Sequence, residues 1–521
     1  MLQDLPLSTY TFRDIREADF LYVDKTRYVY QLVRPKKGVY FLSRPRRFGK
    51  SVLISTLESL FLGQRHLFEG LWIASSEYDW QPHPVLRLDF SVIAARDAEM
   101  LKQVIEYHTE QLAEQYSITL KGFDYQTKFH NLVTQLSQRA KVVILIDEYD
   151  KPILDRLGDS AEAQRVQAVL KQFYTILKGL DTRLRFVLIT GVSKFSRVGV
   201  FSGLNHLTDL TARPDYATML GLTQQELHAY FDAHIQTFAR KIGCTTVELY
   251  EQIKEWYNGY RFLENSETLY NPFSIIHVLD ACRFANFWFE TGTPTFLIEL
   301  IKTQQFDVEQ LNQLSVPEIA FSTYDVKHLA VLPLLFQTGY LTIKQYDSVR
   351  RRYQLGYPNR EVEEAFTTYL LSGLTKIEIG FGISHLYQLV DALIEHQVDR
   401  FFTLLQTFFA NIPYDLQVKQ EKYYQTIFYL IFMLVGTQVE AEVKTNRGRI
   451  DTVITLSDRI YLFEFKLDGD ADEALKQIVN NRYFEKYRHA ALPLTLIGAN
   501  FDTKERNVTR WKTSHRSASL D

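Results

Sequence analysis

Only two of the 521 residues are cysteine, Cys244 and Cys282. That is too few for a disulfide framework or a cysteine-built zinc site, and it fits a reducing, cytoplasmic location. No charge of one sign dominates: 59 Lys and Arg stand against 62 Asp and Glu, a net charge of −3. The whole molecule is therefore not drawn to nucleic acid, and any such contact must come from local patches. Long apolar runs are missing too. The longest, Ile427 to Val435, is far short of the ~20 residues a bilayer-spanning helix needs, so no membrane partner is expected. The start, Met1-Leu2-Gln3-Asp4-Leu5-Pro6, lacks the basic and apolar regions of a signal peptide. Internal repeats and low-complexity tracts are absent. Aromatics are what the chain has in plenty, with 36 Phe and 31 Tyr, enough for substantial cores. The length suggests about three domains at ~150 residues each.

The most informative stretch is Arg44-Pro45-Arg46-Arg47-Phe48-Gly49-Lys50-Ser51. An apolar run, Gly38 to Leu42, precedes it, and a helical pattern with Val52, Leu53, Leu57, Leu60 and Phe61 on one face follows. Strand, tight loop, Gly-Lys-Ser and helix together form the layout of a phosphate-binding loop. Backbone N–H groups of Arg46 to Ser51 would cradle phosphates, Lys50 would reach the β/γ oxygens, and Ser51 would hold Mg²⁺. Arg44 stands where the usual first glycine would be. A second element supports the reading: Val142 to Ile146 form a doubly buried strand that ends in Asp147-Glu148-Tyr149-Asp150. Asp147 is placed to hold the Mg²⁺ shell, and Glu148 to orient and deprotonate the attacking water. A third apolar run ends at Thr190; Thr190 or Ser193 is a candidate γ-phosphate sensor, with an ordinary turn as the competing reading.

Candidate strands 38–43, 85–90, 142–147 and 186–191 alternate with helical segments such as Met100 to Tyr116 and Gln164 to Leu177, a three-layer α/β pattern. Asp24 precedes a helix and reads as its N-cap, near enough to the loop in sequence to touch a nucleotide as well. Thr223 and Glu226 form a capping box that opens a helix-rich segment. Tyr340–Ile343 and Arg352–Leu355 then read as a hairpin, with Arg350, Arg351 and Arg352 at a basic, solvated tip. Gly356-Tyr357-Pro358-Asn359 marks a boundary. The chain thus divides into 1–220, 221–357 and 358–521. In the last part, helices to about 435 give way to strands, a helix runs from Ala471 to Tyr487, and Lys504 to Arg516 is expected to fray.

Residues 449–466 hold a second constellation. Ser457-Asp458 reads as a two-residue hairpin turn that sets Leu456 against Arg459. Counting outward places Asp451 opposite Glu464, while Glu464 and Lys466 share a strand face. Facing carboxylates cost up to ~1 kcal/mol, which a bound Mg²⁺ or Mn²⁺ would offset. Lys466 would then orient water or steady charge developing on phosphorus. The competing reading is a plain Lys466–Glu464 salt bridge, although apolar Ile460, Leu462, Phe463 and Phe465 argue for a buried strand where unpaired charge is expensive. Glu442 is a further metal-side carboxylate candidate, and Gln477 a polar contact.

These pieces resemble a known family, the AAA-ATPase-like proteins that carry a C-terminal nuclease-type domain of the PD-(D/E)xK superfamily. The matching segments are Tyr22–Thr26, RPRRFGKS at 44–51, LIDEYDKP at 145–152, LITGVSKFS at 188–196, WYNGY at 256–260, YPNREV at 357–362, and GRID with EFK at 448–451 and 464–466. The resemblance implies an α/β protein. Its RecA/AAA-like P-loop ATPase core would occupy 1–220 and a helical, winged-helix-like lid 221–357, followed by a C-terminal α/β restriction-endonuclease-like domain. It implies Lys50 and Ser51 on ATP and Mg²⁺, Asp147 and Glu148 in hydrolysis, and Asp451, Glu464 and Lys466 as the nuclease triad.

The function expected is an ATPase coupled to a Mg²⁺- or Mn²⁺-dependent nuclease acting on nucleic acid, DNA favoured over RNA, in defence or mobile-element biology. A homo-oligomer is compatible, with Arg197 and Arg213 as charge-stabilising candidates. The alternative is a nucleotide-dependent switch, or a DNA-stimulated ATPase, whose C-terminal domain binds without cutting.

Overall fold

A computed structural model of the protein describes residues 2–92, 95–194, 200, 201, 204, 206–289, 295–311, 314–322, 329–412, 421–434, 438–445, 448–490 and 492–516. The chain forms two compact units, Met1–Thr291 with Asn312–Val362, and Gly292–Leu311 with Glu363–Asp521.

The first unit is built on a parallel sheet of five strands: β1 (Gly38–Ser43), β2 (Val85–Asp89), β3 (Val142–Asp147), β4 (Leu184–Gly191) and β5 (Thr208–Asp209), in the order β2-β3-β4-β1-β5. Continuous β-branched and apolar stretches make such strands, and all six residues of β3 are buried. Because the strands are parallel, the loops after β1, β3 and β4 leave from one edge. Register sets Ser43 beside Gly191 and Asp89 beside Asp147. The helix Lys50–Phe61 packs its Leu53, Leu57, Leu60 and Phe61 into the same core as Leu42, Val143, Leu145 and Leu188. The short strand β5 has no apolar run of its own and was not expected; it exists by pairing Tyr40 and Phe41 with Thr208 and Asp209.

Outside this sheet, helix Gln224–Ile242 opens on the expected capping box: Thr223 Oγ1 accepts from Glu226 N at 3.1 Å and Glu226 Oε2 from Thr223 N at 2.9 Å. The hairpin is present as β7 (Thr342–Asp347) and β8 (Arg352–Gly356), joined by a third strand, β6 (Leu314–Val316). Arg350 is spent on Asp347 at the exposed tip, which suits a solvated turn.

The second unit carries helices, then a five-stranded sheet in the order β13-β12-β11-β10-β9. Its strands are β9 (Gln438–Thr445), β10 (Gly448–Thr455), β11 (Ile460–Leu467), β12 (Leu494–Asp502) and β13 (Asn507–Arg516). Only β11 and β12 run parallel, bridged by helix Ala471–Asn480. Two expectations are corrected. The helix stops at Asn480, where Arg482 adopts φ +49°, and a 3₁₀ segment follows. The basic end does not fray: Asn507–Arg516 is the edge strand β13, whose backbone pairs with β12 while its charges face outward. Hydrogen bonding along a neighbour orders a segment that composition alone marks as loose.

Among the described residues no single helix is long and apolar enough to cross a membrane; Arg360–Thr375 and Ile379–Ile394 reach that composition only together, bent by 104°.

Candidate active sites

The first site lies at the carboxyl edge of the parallel sheet. Gly49, at φ +90°, turns the chain into helix Lys50–Phe61 in a conformation few L residues adopt, and no side chain caps this helix. Its first N–H groups are thus available to an anion. Lys50 is buried and folds back, donating to Arg44 O at 3.0 Å and Pro45 O at 2.9 Å. Burial pulls its ammonium below the ordinary lysine range, against the opposing pull of Glu148, Asp147 and Asp150.

Asp147 is fully buried. Its Oδ1 accepts from Thr190 Oγ1 at 2.6 Å and from Glu148 N at 3.1 Å; Oδ2 has no hydrogen-bond partner among the described residues. A buried, orphaned carboxylate oxygen is costly unless a donor or cation comes to it. The donor set therefore fits a nucleotide-bound Mg²⁺ held by Ser51 and Asp147. Glu148 adopts φ +49°, and burial pushes its carboxyl up, with Lys50 opposing. Thr190 is brought to Asp147. Ser193 is turned instead to Asp150, which accepts from Ser193 N at 2.6 Å, from Ser193 Oγ and from Val192 N at 3.1 Å. Sequence reading passed over Asp150 in this binding role. Its signal was the third acidic residue of Asp147-Glu148-Tyr149-Asp150.

Arg44 is not a vestige of a lost glycine. It is 1% exposed, its guanidinium donates to Ser43 O at 2.9 Å and Thr211 O at 3.1 Å, and it lies 4.3 Å from the centre of the Phe262 ring. Burial lowers its pKa to about 10. Phe48 is also buried, edge-on to Tyr260 and Phe262, so its ring anchors the loop to the interior. Arg47 stacks on Phe273 at 3.6 Å and donates to Phe287 O at 3.1 Å, while Arg46 is exposed. Asp24 accepts from Thr26 N at 2.8 Å and Trp72 N at 2.7 Å, which uses both its oxygens locally. Arg213 is half exposed, 3.7 Å from Asp215. Arg197 lies outside the described residues. Beside Gly49 and Val52 a mostly apolar cavity of about 130 Å³ is lined by Tyr22, Val23, Lys25 and Leu220.

The second site is on the second unit's sheet. Leu456 N donates to Arg459 O at 2.9 Å across the Ser457-Asp458 turn, and Thr452 pairs with Phe463. Carried one pair further, this register sets Asp451 level with Glu464, on one face. Asp451 Oδ2 accepts from Phe465 N at 2.8 Å. Glu464 is 1% exposed; its Oε1 lies 3.3 Å from Lys466 Nζ and also accepts from Gln477 Nε2. Gly498, level with Glu464 on β12, lets helix Ala471–Asn480 come close enough for Gln477 to reach, since a Cβ there would meet Ala471 O at 2.4 Å. Ile450 and Thr452 pair with Val443 and Ala441, which puts the backbone of Glu442 at the level of Asp451; its side chain lies outside the described residues. Oxygen ligands of this kind suit a hard divalent cation. Among the described residues no group of three or more His, Cys, Asp or Glu forms a complete metal cage.

Both arrangements lie within segments that match known family models. Residues 6–201 match the family model described as a predicted AAA-ATPase, and residues 419–511 match that of the PD-(D/E)XK nuclease superfamily. The chain belongs to the AAA-ATPase-like proteins and carries a C-terminal PD-(D/E)XK nuclease-superfamily domain. It is 36% identical over 518 residues, 97% of each chain, to a protein of Azotobacter chroococcum mcd 1 called "Uncharacterized protein in vnfD 5'region".

Proposed function

We propose that the protein binds and hydrolyses ATP at the Gly49–Ser51 loop and cleaves nucleic acid, DNA in preference to RNA, at Asp451, Glu464 and Lys466. The observation that carries the first half is the fully buried Asp147, with one carboxylate oxygen unsatisfied beside Glu148 and within the electrostatic reach of Lys50. Bound Mg²⁺ would neutralise charge between the β- and γ-phosphates. The chain's own residues do the rest. Lys50 exchanges its two loop carbonyls for phosphate oxygens, Thr190 keeps Asp147 oriented, and Glu148 takes a proton from the attacking water. A carboxyl pushed upward by burial is a better base for that step than an exposed one. The apolar cavity beside Val52 is where the nucleoside would lie.

At the second site Gln477 and Lys466 converge on Glu464, fixing one of its oxygens. Lys466 is partly exposed, so its ammonium can meet a phosphate while it pairs with Glu464. The division of the first part into core, 1–220, and lid, 221–357, belongs to the same proposal, as does gating of the nuclease by the nucleotide cycle.

The test is a single set of incubations of purified protein with plasmid, linear DNA and RNA, with and without ATP and Mn²⁺, alongside Lys50→Ala and Lys466→Ala. The expected result is metal-dependent strand scission that Lys466→Ala removes, and ATP turnover that Lys50→Ala removes. Equal residual scission in wild type and Lys466→Ala would leave a switch or a nucleic-acid-stimulated ATPase as the better reading.

A further inference from the structure

Two sequence segments, WYNGY at 256–260 and YPNREV at 357–362, contribute nothing to the hydrolytic chemistry above, yet both pack under the phosphate loop. Gly259, at φ +115°, sits so close to Pro358 that an added Cβ would come within 1.9 Å of its carbonyl oxygen. Tyr260, one residue on, is edge-on to Phe48 with ring centres 4.8 Å apart. Glu361 is the unusual member. It is a carboxylate with no exposed surface that accepts from Ser274 Oγ at 2.7 Å and from Trp288 N at 2.8 Å. The segments it holds are the ones that hold the loop. Trp288 Nε1 donates to Arg46 O at 3.3 Å, Phe287 O accepts from Arg47, and Phe273, next to Ser274, carries the Arg47 guanidinium on its ring face.

We propose that Glu361 is a positioning residue for the phosphate loop, fixing residues 273–274 and 287–288 so that these fix Arg46 and Arg47 in the strained approach to Gly49. A buried carboxylate is expensive, and one oxygen per contact is what lets it receive both an O–H and an N–H. Glutamine keeps the volume and can make both contacts, its amide oxygen accepting from Trp288 N and its NH₂ donating to Ser274 Oγ, but both hydrogen bonds are then neutral and weaker than those to a carboxylate. The bland alternative is a carboxylate that merely stabilises the fold; its loss would loosen the whole unit evenly.

The inference rests on the loop being a nucleotide site, so its test has a readout independent of nucleotide. Hydrogen exchange is measured on the nucleotide-free protein, comparing wild type with Glu361→Gln and Ser274→Ala. Exchanging charge-assisted hydrogen bonds for neutral ones should raise exchange at residues 46–51 and 287–288 by roughly fivefold to tenfold, with β2 and β3 unchanged. ATP affinity, titrated separately, should fall by a similar factor while kcat holds, because the loop grips substrate and transition state alike. Ser274→Ala should move the same amides less, and it serves if Glu361→Gln does not fold. Unchanged exchange at 46–51 in a folded variant, or a rise spread evenly over the sheet, overturns the proposal. If wild type binds no ATP, the nucleotide reading fails, and loop exchange still decides the role of Glu361.

Discussion

Replacing Gly498 by alanine puts the geometry of the nuclease-type site to a quantitative test. The added Cβ would stand 2.4 Å from Ala471 O, 2.5 Å from Leu475 N and 3.0 Å from Leu475 Cβ. The two nearest are backbone atoms of helix Ala471–Asn480 and the third is a Cβ fixed to that backbone, so no side-chain rotation relieves the clash. Ordinary contact begins near 3.4 Å. The helix must therefore withdraw from β12 by about 1 Å, and forced overpacking of this kind costs ~1–3 kcal/mol. At ~2–4 °C per kcal/mol for a unit of this size, the Tm of the second unit should drop by roughly 2–12 °C. Because Gln477 rides on the same helix, its contact with Glu464 should be lost, and metal-dependent scission should fall further than stability does. Gly380→Ala is the control, since nothing lies within 4 Å of its added Cβ and it sits in the first turn of a helix, so Tm and scission should hold or rise slightly. Differential scanning calorimetry with a plasmid-nicking assay reads both effects. If Gly498→Ala keeps its Tm and its scission, the close approach of helix to sheet is not what places Gln477.

Arg44→Gly would restore the more usual loop sequence, yet it should weaken the protein. It removes donors to Ser43 O and Thr211 O and the contact with Phe262, so a loss of ~3 kcal/mol or more is expected by urea denaturation, with weaker ATP binding. A gain in either quantity would refute the role given to Arg44. Burial pushes the Glu361 carboxyl up to about 7, with the N–H of Trp288, Ser274 Oγ, the N–H of Phe287 and the Arg47 guanidinium opposing, and Tyr260 as the other ionisable neighbour. A folded-state pKa above the unfolded one contributes stability that is complete below pH ~4.5 and is lost as pH rises through ~7, up to about 3 kcal/mol. The Tm of the first unit should therefore decline between pH 5 and 8, and Glu361→Gln should flatten that decline; parallel profiles for the two proteins would contradict the assignment.

Where sequence reading succeeded, short-range rules were enough. A doubly buried apolar run gives a parallel strand, so β1, β3 and β4 and the loops after them were legible, as was the α/β class. The two-residue turn at Ser457-Asp458 fixed a register by counting, and the ladder from Thr455–Ile460 to Thr452–Phe463 follows it. β5 and β13 were not legible, because edge strands draw their order from a neighbour's hydrogen bonds and carry little apolar signal of their own.

The unread part of the first site is of another kind. Arg44, Asp150 and Glu361 are polar residues held by partners between 42 and 172 positions away, with Ser43 O as Arg44's one neighbouring contact, and no local periodicity announces a tertiary cage. Each is held by backbone atoms or by a serine hydroxyl: Arg44 by carbonyls, Asp150 by the N–H groups of Val192 and Ser193, Glu361 by that of Trp288. Side-chain identity at such partner positions is largely free, so the partners leave little trace in sequence, while the buried charge itself cannot be exchanged without stranding a donor or an acceptor. That asymmetry is why the candidate phosphate-binding residues could be named from a motif, whereas those that hold the motif in shape had to be found in three dimensions.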